Sequence, residues 1–391
     1  MGKNKKKTLY RNCPLTDSSD INFVFNQKFS LPEDYFFPNE YNLVQSDKTG
    51  LIFADVEINE SVLNSHYSKD AKYDPQIIKS LIQYPKHDIE RYNLLFESCK
   101  KYINSQSKIL DIGFGNGGLF NVFLNKGVMI DNLFGLDPSP VSHTLAKSVY
   151  NINTFLGTID DIKNYNTKFD FIILSHVVEH LLNPKQQING LLKSLTLNGK
   201  VYIEVPNAKQ FHKYADVHGP YQEINTEHIN HFSEKSLKNL AHFSGFKCIE
   251  SCERIVINEA GYYPVIHQIW EKGLQQFEYD GEIVENIKFY LDKSEKIFNN
   301  QLKIIKNNAP VFLYGIGEFS YKILANIDNK YIKGLIDISS KKIGKKINNI
   351  QITSPTELKR FKNEKIFISS FVSKKQIKED LLSINKDLLI L

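Results

Sequence analysis

The residues best suited to chemistry gather between positions 208 and 233, where His212, Tyr214, His218, Tyr221, His228 and His231 follow one another. The centre of that stretch runs from Asn225 through Glu227 and His228 to Ser233. An imidazole titrates near neutral pH, so histidines at this density suit removal of a proton from a hydroxyl or from a carbon beside a ketone. A second stretch runs from Lys108 to Phe120. There Ile109, Leu110 and Ile112 surround Asp111 and lead into Gly113, Gly115, Gly117 and Gly118. This reads as a buried strand, a tight turn and a helix start, with glycines that permit φ > 0 and let a ligand approach bare main chain.

Two ligand classes fit that turn. The spacing Gly113-x-Gly115-x-x-Gly118 matches the dinucleotide fingerprint, in which a helix N-terminus faces a pyrophosphate. Asp111, however, stands two residues before the first glycine, and a fixed carboxylate there repels a pyrophosphate. It suits instead a ligand with a cationic amine and a sulfonium, such as S-adenosylmethionine. Asp137, about twenty residues further on, can accept both hydroxyls of a ribose. That role serves either ligand, and Asp137 or Ser139 also suits the N-cap of the next helix.

The elements that position these residues follow from periodicity. From 108 to about 207 strands alternate with helices, which argues for a parallel sheet with crossover helices. Residues 10 to about 75 hold short aromatic strands, Ile21 to Phe25 and Tyr41 to Ser46 among them. Between 76 and about 106 the apolar positions Ile77, Ile78, Leu81 and Ile82, then Ile89, Tyr92, Leu94, Leu95 and Phe96, have helical spacing. Tyr67, Tyr73 and Tyr84 suit a pocket wall or ordinary packing. Glu234 to Gly245 reads as a helix, with Ser233 as its cap and Gly245 as its stop. Beyond Gly261 the spacing of Trp270, Leu274 and Phe277 predicts a helical connector as far as Ile305. Ala309 to Ser320 opens a second strand-glycine-helix unit with Gly315 and Gly317, followed by a strand ending at Asp337.

Taken in this order, the central segments resemble the class I S-adenosylmethionine-dependent methyltransferases. Lys108 to Phe120 is similar to their first motif, and Phe169 to Leu181 to their fourth strand and the Val-x-Glu-His that follows. The resemblance implies S-adenosylmethionine as cofactor, bound by Asp111, Gly113, Gly115, Gly117 and Asp137. It places Thr158 and the backbone of Ile159 at the adenine, and Ser175 and His176 at the methionine end. Glu179 and His180 are assigned to packing or capping.

The stretch from Asn225 to Ser233 resembles the Glu-His and Phe-Ser pattern of the sugar C-methyltransferases of deoxysugar biosynthesis. On that resemblance Glu227 and His228 fall on the acid/base pair. His228 is then the general base, Glu227 orients it or holds sugar hydroxyls, and His231 is in reserve. Those enzymes carry a Tyr two residues before the Glu, where this chain has Asn225. Since Glu-His-x-x-x-Phe-Ser also occurs in sugar O-methyltransferases, the acceptor atom stays open between carbon and oxygen. Tyr41 to Asp55 resembles the N-terminal zinc ribbon of the same enzymes, with Ser46 and Thr49 at the knuckle positions and Cys13 as a remnant. Hydroxyls do not replace thiolates on zinc, so a ribbon-like subdomain without metal is expected. The segment from Ala309 onward resembles the C-terminal Rossmann-like domain that there helps bind the nucleotide-sugar. Gly315 and Gly317 suit a phosphate approach or a purely structural turn.

The expected architecture is α/β. A ribbon-like subdomain spans 1–75, a methyltransferase domain 76–260, a helical connector 261–306 and a Rossmann-like domain 307–391. The expected function is methylation of a sugar or nucleotide-activated sugar in bacterial polysaccharide or deoxysugar synthesis. A nicotinamide-dependent sugar enzyme and a non-catalytic scaffold that binds S-adenosylmethionine are the rivals. The 391 residues are 41% hydrophobic and 24% charged, with a net charge of +5, which is globular and weakly basic for this length. The absence of an arginine-rich stripe argues against a nucleic-acid partner. No stretch is apolar enough for a membrane span, and the lysine-rich start is not a secretory signal, so a soluble cytoplasmic protein is expected. Cys13, Cys99, Cys248 and Cys252 give neither a disulfide framework nor a zinc site. Cys248 and Cys252 are expected to share a helix face or a turn.

Overall fold

The structure, a computed structural model, describes residues 9–69, 84–258 and 261–391. The lysine-rich start, Tyr73, and the helical positions Ile77, Ile78, Leu81 and Ile82 lie outside the described residues. The chain begins with an antiparallel meander of β1 (Ile21–Lys28), β2 (Glu40–Ser46) and β3 (Ile52–Asp55), and continues into α1 (Glu60–Lys69) and α2 (Lys86–Cys99). The alternating region follows, with β4 (Ile109–Ile112), α3 (Gly118–Asn125), β5 (Leu133–Asp137), α4 (Pro140–Tyr150), β6 (Asn153–Leu156) and β7 (Phe169–Ser175). It continues through α5 (Pro184–Gly190), β8 (Leu195–Pro206), α6 (Ala215–His218), β9 (Asn230–His231), α7 (Glu234–Phe243), β10 (Phe246–Asn258) and β11 (Gly261–Lys272). A long helix, α8 (Ile283–Asn308), leads to a third unit: β12 (Val311–Tyr314), α9 (Glu318–Ala325), β13 (Ile332–Ile336), β14 (Lys346–Ile347), β15 (Ile350–Thr353), β16 (Lys365–Ile368), α10 (Lys374–Ile384) and β17 (Leu389–Ile390).

The central sheet has the order β10-β11-β8-β7-β4-β5-β6. From β6 to β8 its neighbours are parallel, and a long hairpin, β10 and β11, adds on antiparallel. β4 and β7 are mostly apolar because both faces are covered: Ile109, Leu110, Ile112 and Ile172 to Leu174 are all buried. The usual dinucleotide sheet is an all-parallel 3-2-1-4-5-6. The closing antiparallel hairpin sets this sheet apart. The third unit is a smaller sheet, β14-β15-β13-β12-β16-β17, parallel apart from β14.

The expected helical connector over 261–306 is corrected. Gly261–Lys272 is strand β11, paired with both β8 and β10, and only Ile283–Asn308 is helical. The central sheet therefore continues past the expected boundary, through β11 to Lys272. Tyr263 to Trp270 are buried on both faces of the strand, so period-two alternation vanishes and Val265, Ile266, Ile269 and Trp270 imitate a helix stripe. Cys248 and Cys252 lie on β10, not on a helix or turn.

Glu234–Phe243 is the expected helix, with Ser233 accepting from the Ser236 N–H and Gly245 at φ +83°. In the first subdomain the knuckle positions do meet. Cys13 Sγ lies 3.7 Å from the Thr49 hydroxyl, and Ser46 Oγ accepts from the Thr49 N–H at 3.3 Å. The meander is fixed to the rest by Arg11, whose buried guanidinium donates to the carbonyls of Ile229 and Leu182 and to Asn230 Oδ1.

Candidate functional site

Asp111 is the penultimate residue of β4 and is 5% exposed. Burial raises its pKa well above the usual carboxylate value and Asp137 adds to the rise, while Arg91 pulls the other way. Its carboxylate takes no hydrogen bond from the described residues. The turn beyond it has φ values of +73° at Gly113, +54° at Gly115 and +75° at Gly117. A Cβ on Gly113 would come 2.7 Å from Val177 Cγ2, so glycine is required there by conformation and by space. The N–H groups of this turn are already used. Gly113 donates to the Leu136 carbonyl (2.7 Å), Gly115 to Asp137 Oδ2 (3.0 Å) and Gly117 to the Phe114 carbonyl (2.9 Å). A pyrophosphate would find a carboxylate and few free donors there, whereas a cationic amine would relieve the buried charge of Asp111.

Asp137, at the end of β5, takes the Ser139 N–H on its other oxygen at 2.8 Å and has its pKa raised by burial. Ser139 also caps α4. Thr158 caps the short 3-10 turn Ile159–Asn164, in a reciprocal box with Asp161. Asp161 is thereby tied to the turn, Asp160 accepts from Gln187, and Ile159 buries its side chain in the core. Ser175 ends β7 and His176 follows it, next to Val177 at the glycine turn. Ser175 donates to Glu204 at 3.2 Å, and His176, at φ +57°, places Nδ1 3.1 Å from Glu179 Oε1. Glu204 is fully buried and paired with Arg254 and the Tyr202 hydroxyl.

The loop carrying Glu227 and His228 is held by residues from every part of the chain. Tyr221 N–H donates to Ser294 and Glu223 N–H to the Tyr290 hydroxyl, both on α8. Lys322 of α9, 1% exposed, donates to the Tyr221 carbonyl at 2.7 Å. Tyr41 of β2 donates to the Asn225 carbonyl, and the Thr226 hydroxyl donates to Glu318 Oε1 at 2.7 Å. Asn225 Oδ1 takes the N–H groups of both Glu227 (2.9 Å) and His228 (2.8 Å). The residue that departs from the sugar C-methyltransferase pattern thus shapes the turn beneath Glu227 and His228, with bonds a tyrosine cannot make.

His228 is 19% exposed in its side chain, with Nδ1 3.6 Å from the buried Glu223. Burial pulls its pKa down, but the Glu223 bond and the charges of Glu179, Glu223 and Glu227 outweigh that and raise it. Glu227 Oε1 lies 3.3 Å from His66 Nε2 of α1. Burial opposes ionisation of Glu227, yet the His66 bond and the neighbouring imidazoles hold it below the usual range. His231 is 2% exposed, its ring meets Phe211 edge-on, and burial pushes its pKa down to about 3. It is a packed neutral ring rather than a reserve base.

Three further residues stand beside Glu227 and His228. Glu179 and His180, assigned to packing or capping, stand inside the cluster. The His180 ring lies 5.0 Å from that of His228 and its Nδ1 donates to the Glu227 carbonyl at 3.0 Å. The Val-x-Glu-His segment was the signal for both. His66 has no motif around it, and no sequence signal marks it. Tyr67, one of the three pocket tyrosines, has its ring 6.0 Å from His180 and a buried hydroxyl without a partner among the described residues. Tyr84 instead packs on the glycine turn, its hydroxyl donating to the Asn116 carbonyl.

Comparison with known proteins places the central region. Residues 84–251 match the family model described as a methyltransferase domain, and residues 306–388 match one described as C2185-like, N-terminal. The chain is 32% identical over 117 residues to the tRNA U34 carboxymethyltransferase of Campylobacter fetus, covering 28% of this chain and 40% of that one. It is 28% identical over 121 residues to the ubiquinone biosynthesis O-methyltransferase of Rickettsia typhi, covering 30% of this chain and 49% of that one. The chain thus spans less than half the length of these curated relatives. A solved methyltransferase from Methanosarcina mazei aligns with TM-score 0.37 and 16% identity over 46% of this chain and 98% of that one. The central region is a class I methyltransferase domain, and S-adenosylmethionine is its cofactor.

Proposed function

Proceeding from that methyltransferase domain, we propose that the whole chain methylates a sugar or nucleotide-activated sugar, at carbon or oxygen, in bacterial polysaccharide or deoxysugar synthesis. The cofactor, when bound, supplies an electrophilic methyl group on sulfonium. In our proposal Asp111 meets its amine, Gly113, Gly115 and Gly117 admit it, and Asp137 accepts its ribose hydroxyls. Thr158 and Ile159 border the adenine, and Ser175 and His176 the methionine end. His228 takes the proton of the acceptor, with Glu223 behind its Nδ1, and Glu227 holds acceptor hydroxyls. Fixing the acceptor against the methyl group is a large part of such a rate.

One observation carries the choice of acceptor: the Glu227–His228 loop is closed in by the meander (Tyr41), α1 (His66), α8 (Tyr290, Ser294) and the third unit (Glu318, Lys322). In this reading the ribbon-like and Rossmann-like units help shape the acceptor site. Glu227 and His228 meet the acceptor there, with the buried carboxylates of Glu179 and Glu223 behind them. Carboxylates and imidazoles suit a polyhydroxyl acceptor. They disfavour RNA, whose affinity for protein comes chiefly from phosphates, although one relative is named for tRNA. The test is methyl transfer from labelled S-adenosylmethionine to a panel of nucleotide-sugars, free sugars, a quinone precursor and tRNA. Labelled nucleotide-sugar or sugar is expected. Label found only in tRNA or in the quinone precursor would overturn the proposal.

A further inference from the structure

Beside the proposed base lies a group of side chains that proton transfer does not use up. One ligand-type atom from each of Glu179, His180 and His228 falls within 4.8 Å of the others. The groups facing each Nδ1 fix which ring nitrogens are free. His180 Nδ1 faces a carbonyl, that of Glu227, at 3.0 Å. A carbonyl only accepts, so Nδ1 carries the proton and Nε2 keeps its lone pair. His228 Nδ1 faces the carboxylate of Glu223 at 3.6 Å, and Glu223 is itself fixed by the Tyr263 hydroxyl at 2.7 Å. Nε2 of His228 is again the free nitrogen. An imidazole held at Nδ1 by a carboxylate or carbonyl is the usual support of a metal-bound histidine.

The third member supplies an independent sign. Glu179 is 1% exposed, and its Oε1 is taken by His176. Its Oε2 is buried without a partner among the described residues. A buried bare carboxylate oxygen is expensive and calls for an unseen partner. His176, which secures the other oxygen, is held in left-handed backbone at φ +57°, an arrangement that persists only where its surroundings impose it. The side chains of His180 and His228 are 18% and 19% exposed, so the group is open on one side.

We propose that Glu179, His180 and His228 bind a divalent first-row transition-metal ion of the zinc class, and that the bound ion silences His228 as a base. Two imidazoles and one carboxylate select such an ion over magnesium or calcium, which prefer all-oxygen shells. Metal–ligand bonds of about 2.1 Å set ligand atoms about 3.4 Å apart, so the present group, within 4.8 Å, must contract by up to about 1.4 Å. Three protein ligands leave a coordination position open toward the acceptor side. Metal binding stands on this geometry alone. The silencing rests on the proposed function, because the lone pair that would accept the acceptor's proton is the one the ion takes.

The full chain, stripped with a chelator, is titrated with Zn(II) by calorimetry and with Co(II) by its visible absorption. One equivalent is expected, with the intense d–d bands of a low-coordinate N/O site. Glu179→Gln, His180→Gln and His228→Gln should each weaken binding at least tenfold while circular dichroism and S-adenosylmethionine binding stay native. Glu223→Gln, which touches no ion, should weaken it about 10- to 100-fold. No stoichiometric binding, or binding that survives Glu179→Gln and His180→Gln in folded protein, overturns the site. If methyl transfer is measurable, added Zn(II) should suppress it and chelator restore it. A rate that requires the metal overturns the silencing and makes His228 a ligand in turnover. If no transfer is found with any acceptor, the proposed function fails while the titrations still decide the metal site.

Discussion

Replacing Asp111 with Asn separates a cofactor contact from a structural one, because the two roles move two observables in opposite directions. In the free protein the carboxyl is buried beside Asp137, and both effects raise its pKa. A carboxyl whose native pKa exceeds its unfolded value, about 3.9, binds its proton more tightly when folded. Its contribution to stability is therefore greatest below the unfolded pKa and is lost as pH rises through the native one. Above that native pKa the ionised Asp111 is a burden, so there Asn should leave the free protein as stable or more so. Cofactor binding should suffer. A unit charge pair at about 4 Å with an effective dielectric constant of about 20 is worth about 4 kcal/mol gross, and desolvation returns part of it. Measured hydrogen bonds to charged groups contribute about 1.5–3 kcal/mol, which is about 10- to 150-fold in Kd. Binding to the native protein should also weaken as pH falls and Asp111 takes up its proton, and the Asn variant should lose that dependence. Calorimetry with S-adenosylmethionine across pH, paired with thermal unfolding of the free protein, reads all of these. An unchanged Kd, or a free protein that unfolds earlier, would refute the reasoning.

Three further substitutions probe other parts of the account. His228→Ala should leave S-adenosylmethionine affinity intact and lower turnover about 10²- to 10⁴-fold, read by initial rates; an unchanged rate removes His228 from the chemistry. Glu318→Ala frees the Thr226 hydroxyl and should lower kcat about tenfold or more through misplacement of the loop without changing cofactor Kd, and equal rates would show that the third unit does not set the loop. Arg254→Ala strands the fully buried Glu204 and should destabilise the chain by about 3–5 kcal/mol in denaturant unfolding; a loss below about 1 kcal/mol would mean the pair is solvated.

The parts legible in the sequence were those whose residues act locally. Asp111 and the glycines announce a strand, a turn and a helix because φ > 0 and close backbone approach leave few alternatives to glycine. Ser233 announces its helix by a bond to its own third neighbour. Strand β11 was not legible, because Tyr263 to Trp270 are buried on both faces and a doubly buried strand has no period of its own. The site was half legible for a similar reason. Glu227 and His228 stood out as an adjacent pair. Glu179 and His180 read as packing or capping residues, and the fold brings them to His228 from about fifty residues away in sequence. His66 arrives from α1, and nothing near it in sequence signals its partner. Asn225 showed as a departure from a pattern, but that its side chain would brace both following N–H groups was a matter of backbone geometry.

The central claim is that the first glycine turn accepts a sulfonium nucleoside and refuses a pyrophosphate. The most direct measurement is a calorimetric titration of the full chain with S-adenosylmethionine, followed by the same titration in excess NAD. Saturable one-to-one binding of S-adenosylmethionine that NAD does not displace is predicted. Binding of NAD with no heat from S-adenosylmethionine would contradict it.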